Sequence, residues 1–132
     1  MTSFKLLFPI ISLLLTILSS SVNSLNLGEV NVLIINNMQA PLTHHCHSQG
    51  NDLGTKTIQQ GKSFTWTSQI ILKKSESYFC DMSAGNLHGN FDIFETKRDF
   101  GRCAESNCIW RVNRDGLYLF INNNYALQYH WP

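Results

Sequence analysis

The sequence predicts an all-β protein, a small antiparallel β-sandwich of seven to eight short strands stabilised by two disulfides. Three observations carry this expectation. Apolar residues recur at period two in short runs, which places them on one face of a strand. Gly- and Asn-rich clusters separate those runs at the spacing of turns. Four cysteines, Cys46, Cys80, Cys103 and Cys108, follow an N-terminal apolar run in a chain of 132 residues. No stretch keeps a helical period over about ten residues, the length at which that pattern becomes decisive.

Residues 30–36 (VNVLIIN) are rich in β-branched side chains and end at Asn36-Asn37, a turn signal. Pro41 belongs to the connection, and residues 43–48 form a short strand carrying His44, His45, Cys46 and His47. Residues 48–54 read as an exposed loop, and 57–60 as a brief edge strand. In 63–70 the alternation is clean: Phe64, Trp66, Ser68 and Ile70 face one way and Thr65, Thr67 and Gln69 the other. Residues 73–76 form a solvated link to the strand at 77–82, which groups Tyr78, Cys80 and Met82. Residues 83–90 read as a loop, and Phe91 and Ile93 share a face with Glu95 in the next strand.

The centre of the pattern is 103–118. Cys108, Trp110 and Val112 share a face, and Asp115-Gly116 marks a hairpin turn that returns the chain into 117–121. That last run is apolar on both faces, as a strand covered on both sides is. Asn122-Asn123-Asn124 makes the next turn, after which Tyr125, Leu127, Tyr129 and Trp131 alternate with Ala126, Gln128 and His130. Trp66 and Trp110 are expected in the core, while Tyr129 and Trp131 are candidates for partly exposed contact anchors.

Residues 1–24 read as a signal peptide: Lys5, then an apolar run at 6–18, then small residues at 19–24. Residues 25–132 are expected to form one β-sandwich domain, secreted and extracellular. Removing Lys5 lowers the ten Lys+Arg to nine, against nine Asp+Glu. That balance gives no reason to expect nucleic acid or an anionic membrane as partner, and nothing after the signal reads as inserting into a membrane. The even cysteine count reads as two structural bridges, each contributing about 2–4 kcal/mol. Three pairings are open. The favoured one, Cys46–Cys108 with Cys80–Cys103, ties the central hairpin and its preceding loop to different strands.

Candidate chemistry is sparse. His45 and His47 share a strand face and form the nucleus of a metal-binding or hydrolytic reading, with a third group drawn from Asp52, His88 or His130. No ordered nucleophile, acid–base set, phosphate loop or zinc motif accompanies them. No catalytic residue, metal or cofactor is therefore expected. A carbohydrate-binding reading rests on exposed aromatics such as Trp131. Residues 96–107 are the most charged part, and Lys97, Arg98, Asp99, Arg102 and Glu105 place both signs of charge in one loop, the expected partner-binding site.

His45-Cys46-His47-Ser48 with Asp52-Leu53-Gly54, then Gly61, Phe64 and Trp66, then Tyr78-Phe79-Cys80, Phe91-Asp92-Ile93-Phe94, and Cys108-x-Trp110 before Asp115-Gly116-Leu117-Tyr118 form an ordered series. The series resembles the plant self-incompatibility protein family, the S-protein homologues, over nearly all of residues 25–132. The resemblance implies a small secreted β-sandwich with four disulfide-bonded cysteines. It also implies a signalling role as ligand of a plant cell-surface membrane protein, because characterised members are perceived by a pollen membrane protein. This chain has Asp-Met-Ser-Ala-Gly after Cys80, where members frequently carry another aromatic.

Overall fold

In the computed structural model, residues 25–103 and 105–132 are described; the expected signal peptide, 1–24, lies outside them. The chain runs β1 (Asn26–Asn36), β2 (Leu42–His47), β3 (Asp52–Ile58), β4 (Ser63–Ile71), β5 (Ser77–Ala84), β6 (Leu87–Glu95), a single helical turn α1 (Thr96–Asp99), β7 (Asn107–Asn113), β8 (Gly116–Ile121) and β9 (Asn124–Tyr129). Five strands form one sheet in the order β4-β1-β7-β8-β9, and four form the other in the order β3-β2-β5-β6. The β-sandwich with two disulfides is thus observed, with nine strands among the described residues. One pairing, β1 with β7, is parallel, and the others are antiparallel. Among the described residues no helix is long and apolar enough to cross a membrane.

Period-two patterning sets the inner faces. Val30, Val32 and Ile34 of β1, Trp66 and Ile70 of β4, and Cys108, Trp110 and Val112 of β7 are buried against Leu42 and Cys46 of β2 and Tyr78, Cys80 and Met82 of β5. Trp110 is fully buried, donates its indole N–H to the Ile93 carbonyl at 3.1 Å and stacks on Tyr129. In β6 the pairing slips between Tyr78/Phe94 and Phe79/Asp92, a bulge at Ile93 that turns both Ile93 and Phe94 inward. Simple alternation places only one of them there.

Asn36 lies fully buried, where the sequence reads a turn. Its amide donates to the carbonyls of Ala40 and Ile58 at 2.8 and 2.9 Å, and its oxygen accepts the Met38 N–H. One side chain so satisfies the backbone where the chain crosses between sheets.

Both disulfide pairings expected from sequence are corrected. Cys46 and Cys80 bond to each other, and so do Cys103 and Cys108. The reason is topological. Antiparallel β2 and β5 are neighbours and set Cys46 directly opposite Cys80, whereas Cys108 lies in the other sheet. Three element readings also change. Residues 52–54 belong to β3, and the 83–90 loop is a hairpin whose two-residue turn has Gly85 at φ 58°. In β8 the outward Tyr118 and Phe120 are half-buried, not fully covered as a strand enclosed on both sides would be.

The hairpin turn at Arg114-Asp115 is observed, but Gly116 follows the two-residue turn instead of sitting within it. A Cβ there would stand 2.2 Å from the Tyr129 carbonyl oxygen, so glycine permits the close approach of β9. By contrast, Asn122 and Asn123 both adopt positive φ in the turn between β8 and β9.

Candidate functional surface

β2 presents its histidines to two different environments. His45 and His47 lie on the outward face, their rings 5.5 Å apart, and His45 Nε2 meets Asp52 Oδ1 at 2.6 Å. Asp52 reaches this position because β3 pairs with β2 and sets it opposite His47. The Gly54 N–H and then His45 hold the Asp52 carboxyl below its usual range. The pair is well exposed, with side chains 38% and 66% accessible. His88 and His130 lie elsewhere, on β6 and after β9. Among the described residues no group of three potential ligands gathers to hold a metal.

His44 points the other way and is 1% exposed. Its Nδ1 lies 3.5 Å from Cys46 Sγ, its ring packs on Phe64, and its Nε2 is buried with no hydrogen-bond partner among the described residues. Burial foremost, then the positive fields of Lys56 and His45, pushes its pKa down to about 4. The side chain is therefore neutral at ordinary pH.

At one end of the sandwich the 48–50 turn, the 72–76 link and the loop after β6 meet around a depression of about 910 Å³. Glu76 is its hub: its carboxylate accepts from Ser48 and Ser68 hydroxyls at 3.1 and 3.3 Å. Thr96 clamps the same residue from behind. The Thr96 N–H and hydroxyl donate to the Glu76 carbonyl at 3.0 and 3.2 Å, and the hydroxyl accepts the Glu76 N–H. Two loops remote in sequence are thereby fixed to one another.

The charged loop differs from its sequence reading. Lys97 and Glu105 stand exposed as expected. Arg98, Asp99 and Arg102 instead turn inward, because Asp99 is 1% exposed and needs compensation. Asp99 accepts the Glu95 N–H at 2.8 Å and both Arg98 and Arg102, while Arg98 forms a second, bidentate pair with Asp92. Burial works against the Arg98 charge, but the hydrogen bonds it donates to Asp99 and Asp92 outweigh it and raise the pKa. Arg102 continues to Gln128 on β9. These three charges hold the loop to the sheets.

The two aromatics considered as contact anchors, Tyr129 and Trp131, are half-buried, each with its polar tip engaged internally. Trp131 donates its indole N–H to the Asn113 carbonyl and packs edge-on to Phe91, and Tyr129 donates to the Asp92 carbonyl. Both pack against the core. The exposed large apolar side chains are Leu25, Leu27, Phe79, Phe100 and Leu127 among the described residues. Leu25, Leu27 and Phe100 lie just before a strand, at its start or in a loop, where no periodic neighbour flags their direction, whereas Phe79 stands on the outward face of β5, opposite Tyr78, Cys80 and Met82.

Comparison with known proteins agrees with this architecture. The sequence model of the plant self-incompatibility protein S1 family matches residues 31–131. S-protein homolog 24 of Arabidopsis thaliana is 36% identical over 103 residues, covering 76% of this chain and 67% of that protein. S-protein homolog 2 of the same plant is 32% identical over 120 residues, covering 85% and 74%. A solved self-incompatibility protein homologue, described as one of a widespread family of small, highly stable, secreted plant proteins, superposes with a TM-score of 0.56. It is 11% identical and covers 79% of this chain and 95% of its own, a likeness of fold.

Proposed function

The chain belongs to the plant self-incompatibility protein S1 family, and from that premise we propose that it is a secreted, non-enzymatic ligand of a plant cell-surface membrane protein. The observation that carries this reading is the clamp between Thr96 and Glu76, which ties the 72–76 link to the start of the loop after β6. A partner meets loops already ordered, so little conformational entropy is lost on docking. Arg98, Asp99 and Arg102 hold the frame, while Lys97, Phe100 and Glu105 face outward as contact residues. Two disulfides among the described residues fit an oxidising extracellular setting.

The test is crosslinking of the mature protein to intact plant cells. Saturable capture of a membrane protein is expected, weakened by Lys97→Glu/Glu105→Lys. The reading fails if no saturable site is found on reproductive or vegetative cells. A second reading, a metal-binding or hydrolytic site on His45 and His47, has the 2.6 Å His45–Asp52 contact in its favour. Stoichiometric zinc or copper in natively purified protein, lost in His45→Ala/His47→Ala, distinguishes it.

A further inference from the structure

Beside the clamped loops, the start of β1, the end of β4 and α1 enclose a second, shallow depression of about 240 Å³. Its apolar floor and rim include Leu27, Leu72 and Phe100, and its charged lining among the described residues is Lys73, Lys74 and Lys97. Leu25 adjoins it through the backbone hydrogen bond from Leu72. Leu25, Leu27 and Phe100 are 51%, 46% and 58% exposed. None of the three lysines forms an ion pair among the described residues. The balanced charge of residues 25–132 thus conceals a local segregation: apolar side chains standing in water beside three lysines with no ion pair among the described residues.

We propose that this end of the sandwich docks on an anionic lipid surface, with Phe100, Leu27 and Leu25 entering the headgroup layer and Lys73, Lys74 and Lys97 contacting its charge. Apolar tips with flanking cations are the composition that binds membrane interfaces, where apolar burial and attraction to anionic lipid add. The cation type separates this partner from an acidic peptide. Directional pairing with carboxylates favours the planar fork of arginine, and this loop spends its arginines internally on Asp92 and Asp99. The cations lining this depression are all lysines, flexible point charges suited to a smeared field. The depression is also open and shallow, with its apolar side chains projecting from it. Such docking concentrates the protein at a membrane without requiring a protein partner; it shares Lys97 and Phe100 with the receptor reading, and flotation on protein-free vesicles tests it apart from that reading.

The test is flotation of the protein secreted from the full-length chain with vesicles of phosphatidylcholine and phosphatidylserine, against phosphatidylcholine alone. Binding to the mixed vesicles only is expected, abolished at about 1 M salt, where the Debye length falls to about 3 Å. Lys73→Glu/Lys74→Glu/Lys97→Glu should weaken it about a hundredfold or more, since each lysine near an anionic surface contributes roughly fivefold. Leu27→Ser/Phe100→Ser should weaken it about tenfold or more through lost apolar contact. Lys56→Glu/Lys62→Glu, on strand and turn positions elsewhere, should leave it unchanged. A thermal melt matching wild type verifies each variant, and Lys→Gln replacements at the three sites serve if charge reversal disturbs folding. Equal binding to both vesicle types, no flotation of wild type, or equal loss in the Lys56/Lys62 variant overturns the proposal. Retention on a glutamate-rich peptide carrying one phenylalanine, without flotation, overturns it in favour of a protein partner.

Discussion

Two sets of cations occupy neighbouring positions around α1 and meet opposite fates. Arg98 and Arg102 turn inward onto Asp99 and Asp92, while Lys73, Lys74 and Lys97 stay in water without an ion pair among the described residues. The difference follows from the buried acid. Asp99 accepts the Glu95 N–H and closes the first turn after β6, so it must be inside, and once inside it requires paired charge. Arginine supplies several donors in one plane and satisfies two carboxylates at once. The lysines have no such task, and their charges remain available to a partner.

Breaking the inner set should have the largest effect. Asp99→Ala leaves two guanidinium groups half-buried without their shared acceptor, and a loss of about 3–5 kcal/mol is expected by urea denaturation. Lys97→Ala, two residues away, should change stability by no more than about 0.5 kcal/mol. A small effect at Asp99 would show that the cluster is solvated in solution and erase the contrast.

The disulfides sharpen it next. Cys46–Cys80 closes a separation of 34 residues and Cys103–Cys108 one of 5. The chain-entropy relation gives about 4 kcal/mol for the first and about 2 kcal/mol for the second. Cys103→Ala/Cys108→Ala should nevertheless loosen the inner cations specifically, because the Cys103 N–H bonds to the Asp99 carbonyl. Hydrogen exchange should rise across 95–103 in that variant and remain unchanged in β2 and β5. Cys46→Ala/Cys80→Ala should lower the global midpoint instead.

Residue by residue, what was legible in the sequence is what is local. Cys108, Trp110 and Val112 share a face because side chains alternate along any strand, and the pattern needs no knowledge of neighbours. The Cys46–Cys80 bridge was not legible, because it depends on β2 lying beside β5. The parallel β1–β7 pairing hid for the same reason. The 83–90 segment reads as a loop from its glycines, yet Gly89 is in a strand: a Cβ there would stand 2.6 Å from the Phe91 ring. In the charged loop, composition announced five solvent-facing residues, but burial of one carboxylate drew two arginines in with it. The patch around Phe100 was invisible because it assembles three separated segments.

His44 offers a third solution to burying an ionisable group, since it stays inside by giving up its charge. Its pKa of about 4 lies below the ordinary 6.5, so the folded state binds fewer protons than the unfolded chain between those values. The stability it supports is complete above about pH 6.5 and lost as pH falls through 4, on the order of 3 kcal/mol. His44→Leu should flatten that part of the pH–stability curve relative to wild type. Survival of the full slope in the variant would assign it to other groups and leave His44 without a role in acid sensitivity.

The smallest expected effect is the one that most directly tests the outer set. Replacing Lys73, Lys74 and Lys97 together with Gln removes three like charges that line one shallow depression. No ion pair is lost among the described residues, so no partner is left uncompensated. Long exposed side chains also regain nothing from folding that glutamine cannot supply. Stability should therefore hold within about 0.5 kcal/mol or rise slightly as repulsion is relieved. A loss well above that, seen in thermal melts at low salt, would mean that the lysines bind an internal carboxylate in solution and belong with the arginines after all. An unchanged or raised melting point, together with lost vesicle flotation, would show that these charges serve contact and leave folding to the buried cluster beneath them.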